Sequence, residues 1–229
     1  MSSRTQKCFT LSFDDGICQD IQLVELMNKY GLKGTFNLNT GIQSPDSHFQ
    51  IEDVEIYRME QDGLDRLYAG HEIASHGLTH AALTELEDEQ LTKEILQDMD
   101  NIQKLYGKRP VGFAYAYGAW GQVCKQELAR QGILYARTVE DSHQFNVPED
   151  LLIFAPTCHI RDEKLWELAR EFVRLPEDKP ALFYVWGHSY ELEVYKEWDK
   201  LEEFFQFISG RDDVFYGDNT RCLQRLGAI

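Results

Sequence analysis

Leu11-Ser12-Phe13-Asp14-Asp15-Gly16 reads as a strand running into a turn, with two adjacent carboxylates where the strand ends. Further along, His71-Glu72-Ile73-Ala74-Ser75-His76-Gly77-Leu78-Thr79-His80 ends a second strand with two histidines four residues apart. That spacing predicts both imidazoles on one side of a helical turn. One carboxylate and two imidazoles suffice as protein ligands for a catalytic zinc-type centre with a position open to water. The other carboxylate stands next door, free to act as a base. Together these groups point to metal-assisted hydrolysis.

Outward from these two segments, strands and helices alternate, which favours a parallel sheet with crossover helices. Strands are expected at Cys8 to Phe13, Gly34 to Leu38, His71 to Ser75, Gly112 to Ala116, Leu134 to Thr138, Leu152 to Ala155 and Ala181 to Trp186, with a short last one at Val214 to Tyr216. Helices are expected at Asp20 to Tyr30, Met59 to Tyr68, Thr84 to Tyr106, Glu163 to Arg174 and Trp198 to Ser209. Thr84 with Glu87 resembles a capping box, and Leu91, Ile95, Met99, Ile102 and Leu105 recur at helical spacing. Asn39 to Glu55 reads as a long irregular loop over the active face, and the acidic stretch Glu85 to Glu94 as the solvated face of its helix. The fold class is α/β: a single distorted (β/α) barrel of about seven parallel strands, one domain over residues 1–229.

A formal net charge of −16 argues against nucleic-acid binding and against adhesion to an anionic membrane. Met1 to Lys7 carries no apolar run, and no stretch is long enough to span a bilayer. Five scattered cysteines without a CxxC pair suit reduced thiols in a cytoplasmic protein. The oligomeric state is left open.

The residues with catalytic potential fall at strand ends: Asp14 and Asp15, His76 and His80, Arg137, and His188. In a parallel α/β protein these ends open on one face. With them in place the chain resembles the polysaccharide deacetylases of the NodB-homology type, carbohydrate esterase family 4, from about Cys8 to its end. Phe13-Asp14-Asp15-Gly16 matches the family's first motif, His76 and His80 the second, and His188 the late histidine after a hydrophobic strand. The resemblance implies a NodB-like barrel and one divalent metal held by Asp15, His76 and His80. Zinc is the first choice, with cobalt, nickel or iron compatible with the same ligands. It implies Asp14 as the base toward metal-activated water, the backbone N–H of Tyr117 beside the oxyanion, and His188 as the acid toward the departing amine. The implied substrate is an acylated sugar or oligosaccharide, with an N-acetyl group removed.

The chain departs from the family pattern in several places. In Phe113-Ala114-Tyr115-Ala116-Tyr117-Gly118, Ala114 stands for the expected Arg and Ala116 for the expected Pro. Arg137, at the end of its strand, is the candidate substitute for that Arg. The fourth motif is not recognisable; Asp141 is a candidate partner for His188, and Glu140 an equal one. Gly187 replaces the Leu that lines the acetyl pocket, which leaves room for a wider acyl group, and Gly77 replaces the usual Ser or Thr. Tyr115, Tyr117, Trp120 and Trp186 are candidate sugar-stacking walls, and His159 a candidate substrate contact. A rival reading is a cytoplasmic amidase for a small non-peptide C–N bond. Another is a degenerate sugar-binding protein without turnover.

Overall fold

Phe9, Leu11 and Phe13 alternate with Thr10, Ser12 and Asp14, and all six are buried, so the first strand has an apolar face and a polar face that are both covered. The computed structural model describes residues 6–229; Met1 to Thr5, most of the segment read for a leader, lie outside the described residues. In chain order the elements are β1 (Lys7–Asp14), α1 (Asp20–Lys29), β2 (Gly34–Leu38), β3 (His48–Ile51), β4 (Val54–Tyr57), α2 (Leu64–Leu67), β5 (Glu72–Ser75), α3 (Asp88–Tyr106) and β6 (Gly112–Ala114). Then follow α4 (Gln122–Gln131), β7 (Tyr135–Arg137), β8 (Cys158–His159), α5 (Leu165–Arg174), β9 (Ala181–Gly187), α6 (Ser189–Val194), α7 (Trp198–Ile208), β10 (Phe215–Tyr216) and α8 (Asn219–Arg225).

Seven parallel strands, in the order β7-β6-β5-β2-β1-β9-β8, curl into a half-barrel. β9 pairs along β1 from Lys7 to Phe13, so β10 and β2 share the other edge of β1, at Cys8–Phe9 and at Leu11–Asp14. The chain between β7 and β8 crosses the open side. Phe154 N–H donates to Ala136 O (2.9 Å) and Thr157 N–H to Tyr184 O (2.8 Å).

The apolar face of β1 packs with Phe36 and Phe183 against α1, α5 and α7, through Val24, Met27, Phe172, Phe204 and Ile208. α3 and α4 cover β6 and β7 through Ile95, Met99 and Leu128. Inside the curl, the start of α8 plugs the end where the strands begin. Asn219 accepts from Thr10 Oγ1 and donates to Tyr184 OH, each at 2.8 Å, and Thr220 Oγ1 donates to Glu72 at 2.5 Å. These bonds satisfy polar groups that would be costly to bury alone. The opposite end, where the strands finish, carries the cleft.

Several expectations are corrected. Residues 39–55 are not irregular throughout: β3 and β4 form an antiparallel hairpin whose Phe49, Ile51, Val54 and Ile56 pack on Ile17 and Val194. The alternation lasts only four residues per strand, too short to outweigh the polar composition. α3 begins at Asp88 after a separate 3-10 turn at Leu83–Glu85, and its N-cap Glu87 makes no side-chain cap bond, so Thr84 and Glu87 form no capping box. Glu94 is buried rather than solvated. Leu152 to Ala155 is a 3-10 turn, capped by the Asp150 carboxylate, plus one bridge between Phe154 and Arg137. α4, α6 and α8 are not among the expected helices. Among the described residues no helix is long and apolar enough to cross a membrane, and all five cysteines are free thiols.

Candidate active site

Asp14 is the last residue of β1 and Asp15 the first beyond it. Successive strand residues face opposite ways, so adjacent carboxylates would normally part. Here Asp15 adopts φ +82° and Gly16 φ +63°, and both carboxylates line one cleft. The turn is pinned: Gln43 Nε2 donates to Asp15 O (3.1 Å) and Gly16 O (3.0 Å), and Arg58 Nη1 to Asp15 O (3.1 Å) and Oδ1 (3.2 Å).

His76 and His80 follow β5 in a loop, not on a helical turn. Left-handed backbone at Gly77 (φ +83°) and His80 (φ +61°) turns the chain instead. Glu94 of α3 clamps the loop, accepting from Thr79 N–H (2.6 Å) and Thr79 Oγ1 (3.0 Å). Asn39 Nδ2 donates to His76 O (2.7 Å) and Gly77 O (2.9 Å). One donor atom each from Asp15, His76 and His80 lie within 4.8 Å of one another. His76 Nδ1 is 2.7 Å from Ala114 O, which can only accept, so Nδ1 carries the proton and Nε2 is left as a ligand atom. Burial pulls His80 down to about 4, so its ring is neutral at physiological pH, the form a metal requires. The donor set fits a divalent metal of the zinc type.

Asp14 is buried, which pushes its carboxyl up. The Arg137 guanidinium, then His76 and His188, then the Asn37 amide outweigh that and hold it at about 2. Arg137 Nη2 donates to Asp14 Oδ2, and Asn37 Nδ2 donates to Oδ1 at 2.7 Å. Arg137 is itself buried, with its guanidinium 4.3 Å from the Trp186 ring centroid. It therefore lies where a base-orienting arginine is needed, although it comes from β7.

His188 ends the run of β9 and precedes α6. Its Nε2 faces Asp14 Oδ2 at 3.8 Å. Burial alone would lower the imidazole, but Glu191, Asp14 and Asp15 outweigh it and raise it to about 9. Asp141 is not its partner. The Asp141 carboxylate accepts from Trp186 Nε1 at 2.9 Å, and the carboxylate beside His188 Nδ1 is Glu191, at 3.5 Å.

The other candidates divide. Trp186, Tyr117 and Tyr115 line the cleft, together with Phe49, Arg58, Val139 and Tyr190, around about 650 Å³. Tyr117 is exposed, its ring 4.6 Å from that of His80, with strained left-handed backbone (φ +58°). Tyr115 is fully buried and donates to Leu152 O, so it serves the core as much as the cleft. Trp120 is not among the cleft-lining residues. His159 contacts Trp186 and Glu191 rather than the cavity. A Cβ at Gly187 would meet Ile160 Cγ2 at 2.6 Å and His159 Nε2 at 3.2 Å, and neither Ile160 nor His159 is among the cleft-lining residues. Reading the sequence missed Asn37, Arg58, Phe49, Tyr190 and Glu191. Glu191 had a usable signal, an acid three residues after His188 at a helix start.

Residues 2–136 match the polysaccharide deacetylase family. A chitin deacetylase from Pestalotiopsis sp is 32% identical over 103 residues, covering 44% of this chain and 31% of that protein. The chain thus spans about a third of that relative's length. Among solved structures, a Mycobacterium smegmatis protein assigned to the polysaccharide deacetylases superposes with a TM-score of 0.71 at 16% identity, covering 100% of this chain and 92% of that one. A family 4 carbohydrate esterase from Streptomyces lividans, in complex with acetate, gives 0.59 at 18% identity and 93% coverage of both chains. Those two likenesses bear on the fold alone. On the family match across more than half of its length, the chain belongs to the polysaccharide deacetylases.

Proposed function

We propose that this chain is a metal-dependent hydrolase that removes an acyl group, chiefly N-acetyl, from a sugar or oligosaccharide. The observation that carries the reading is the convergence on Asp14 Oδ2. Arg137 donates to it, and His76 Nε2 and His188 Nε2 each stand 3.8 Å away, at the mouth of the Asp15–His76–His80 donor set. A divalent metal held by those three residues, zinc or else cobalt, nickel or iron, supplies Lewis acidity that lowers the pKa of water and polarises the acyl carbonyl.

The chain's own groups do the rest. Asp14, kept ionised by Arg137, accepts the proton of the attacking water at Oδ2. Asn37 holds its other oxygen, so the carboxylate is oriented before substrate arrives. His188, kept protonated, gives its Nε2 proton to the departing nitrogen as the C–N bond breaks. Acetate and a free amine result. Tyr117, exposed, and Trp186 line the cleft that the substrate would enter.

A second reading, a small-amide hydrolase, draws support from the aromatic roof over the cleft. Phe49 of the hairpin meets Tyr190 of α6 at 5.4 Å, a wall suited to a compact ligand. Acetate release from N-acetylated chito-oligomers and from small amides, with metal-loaded protein, separates the two. Turnover of the oligomers that is lost in His188→Asn is expected. Turnover of small amides alone moves the assignment to the second reading. Turnover of neither by metal-loaded protein contradicts both.

A further inference from the structure

The acid group depends on a carboxylate from the very helix that it caps. His188 is the N-cap of α6, and Glu191 is the third residue of that helix. Glu191 folds back so that Oε2 accepts from His188 N–H at 3.2 Å, one arm of a capping box. Glu191 N–H, which faces the His188 ring in the other arm, donates to His188 O at 3.2 Å, and Nδ1 meets no hydrogen-bond partner of its own among the described residues. Glu191 Oε2 lies 3.5 Å from His188 Nδ1, an ion-pair contact rather than an aligned hydrogen bond. Glu191 is fixed from its far side by His159, whose Nε2 is 2.9 Å from Oε2. His159 Nδ1 accepts from Arg161 N–H at 3.2 Å. That nitrogen therefore carries no proton, and Nε2 must be the donor to Glu191. Two donors independent of the His188 ring thus hold the carboxylate in place. Its charge stands at Nδ1 before and after His188 gives up its Nε2 proton.

We propose that Glu191, braced by His159, is the positioning residue of the acid: it keeps the His188 Nδ1 proton in place so that Nε2 delivers the transferable one. The proposal rests on the reading of His188 as general acid. It assigns to α6 the role that the sequence had offered to Asp141. After transfer, His188 is left as the Nδ1–H tautomer, the one that a carboxylate beside Nδ1 stabilises.

Acid assistance matters for an amine leaving group and much less for a nitrophenolate. The readout is therefore the ratio of kcat for N-acetyl chito-oligomer to kcat for 4-nitrophenyl acetate. Glu191→Gln keeps an acceptor for the His188 and His159 N–H groups and removes the charge. Its ratio is expected to fall roughly tenfold, with KM little changed, and that of His188→Asn to fall further, toward the 10²–10⁴ of a lost general acid. A Glu191→Gln ratio equal to wild type, with the His188→Asn ratio reduced, overturns the Glu191 assignment alone. A His188→Asn ratio equal to wild type overturns the acid reading beneath it. A second measurement needs no turnover: the ring ¹⁵N resonances of His188 at a pH where its imidazole is neutral. The Nδ1–H tautomer is expected in the native chain and the Nε2–H tautomer in Glu191→Gln. The same tautomer in both overturns the proposal.

Discussion

The two halves of the chain build the cleft in different ways. The first half supplies Asp14, Asp15, Asn37, His76 and His80 from β1, β2 and β5, which are neighbours in the sheet. The second half supplies Arg137 from β7 at one end of the strand order, and Trp186 from β9 with His188 just beyond it toward the other. In a flat sheet these groups would be far apart. The curl brings them together, so that Arg137 lies over Trp186 while reaching Asp14. Ligands for a metal need only local adjacency; the groups that orient and complete the base need the closed shape.

The largest effect should come from the first half. Asp15→Ala, or His76→Ala with His80→Ala, is expected to abolish metal binding and to lower kcat about a thousandfold, the several kcal/mol that a Lewis acid supplies. Elemental analysis beside the rate measurement checks this. Full metal content in these variants would break the comparison at its root.

Next is Arg137. Its removal leaves Asp14 buried without its counter-charge, an uncompensated carboxylate of the kind that costs about 3–5 kcal/mol. In Arg137→Met the Asp14 carboxyl, now at about 2, should rise, so the acid limb of the rate profile moves to higher pH. A denaturant melt and a pH–rate profile measure both. Unchanged turnover in Arg137→Ala would remove Arg137 from the account.

Each half also rests on one buried carboxyl. Under the metal side, Asp98 accepts from Ser75 Oγ (2.5 Å), Thr40 Oγ1 (2.6 Å) and Thr40 N–H (2.8 Å). Under the acid side, Asp20 accepts from Ser189 Oγ (2.5 Å) and Tyr68 OH (2.7 Å). Burial raises both to about 7. A carboxyl whose folded value lies above its unfolded one binds its proton more tightly in the native state. Its contribution to stability is complete below the unfolded value of 3.8 and is lost as pH rises through about 7. The contribution of these two carboxyls should therefore decline between these values, against an opposite slope from His71 and His80, which burial holds at about 4. The difference in stability between wild type and Asp20→Asn or Asp98→Asn, from melting curves across the window, tests it, and a difference that does not change with pH contradicts the assignment.

The smallest effect is expected at Asp141. Since its carboxylate holds Trp186 and not His188, Asp141→Asn, which keeps an oxygen to accept from Trp186 Nε1 and removes only the charge, should lower kcat by roughly threefold or less. A loss as large as that of His188→Asn would return Asp141 to the acid.

What the sequence made legible follows the same division. β1, β2, β5 and β9 were readable within a residue or two. β9 is a continuous apolar run, as a strand buried on both faces can be; β1 and β2 carry alternate apolar residues and β5 carries Ile73 and Ala74, each bounded by turn residues. The donor set was readable because Asp15, His76 and His80 fall just past such strands. The path from His76 to His80 was not: positive φ at His80 and the clamp by Glu94 are long-range consequences of packing. Arg137 could be placed at a strand end but not against Asp14, since that meeting requires the curl. Asp141 and Glu191 traded places for a similar reason. The Trp186 indole, turned toward Asp141, claims a carboxylate that spacing alone offered to His188.

Asp14 is where the two halves meet, and the most direct test is Asp14→Asn, measured for metal content and acetate release on the same preparation. The account expects metal content equal to wild type, since Asp14 lies outside the donor set, and kcat lower by roughly 10²–10⁴ for want of the base. Turnover at the wild-type rate, or loss of the metal together with activity, would contradict it.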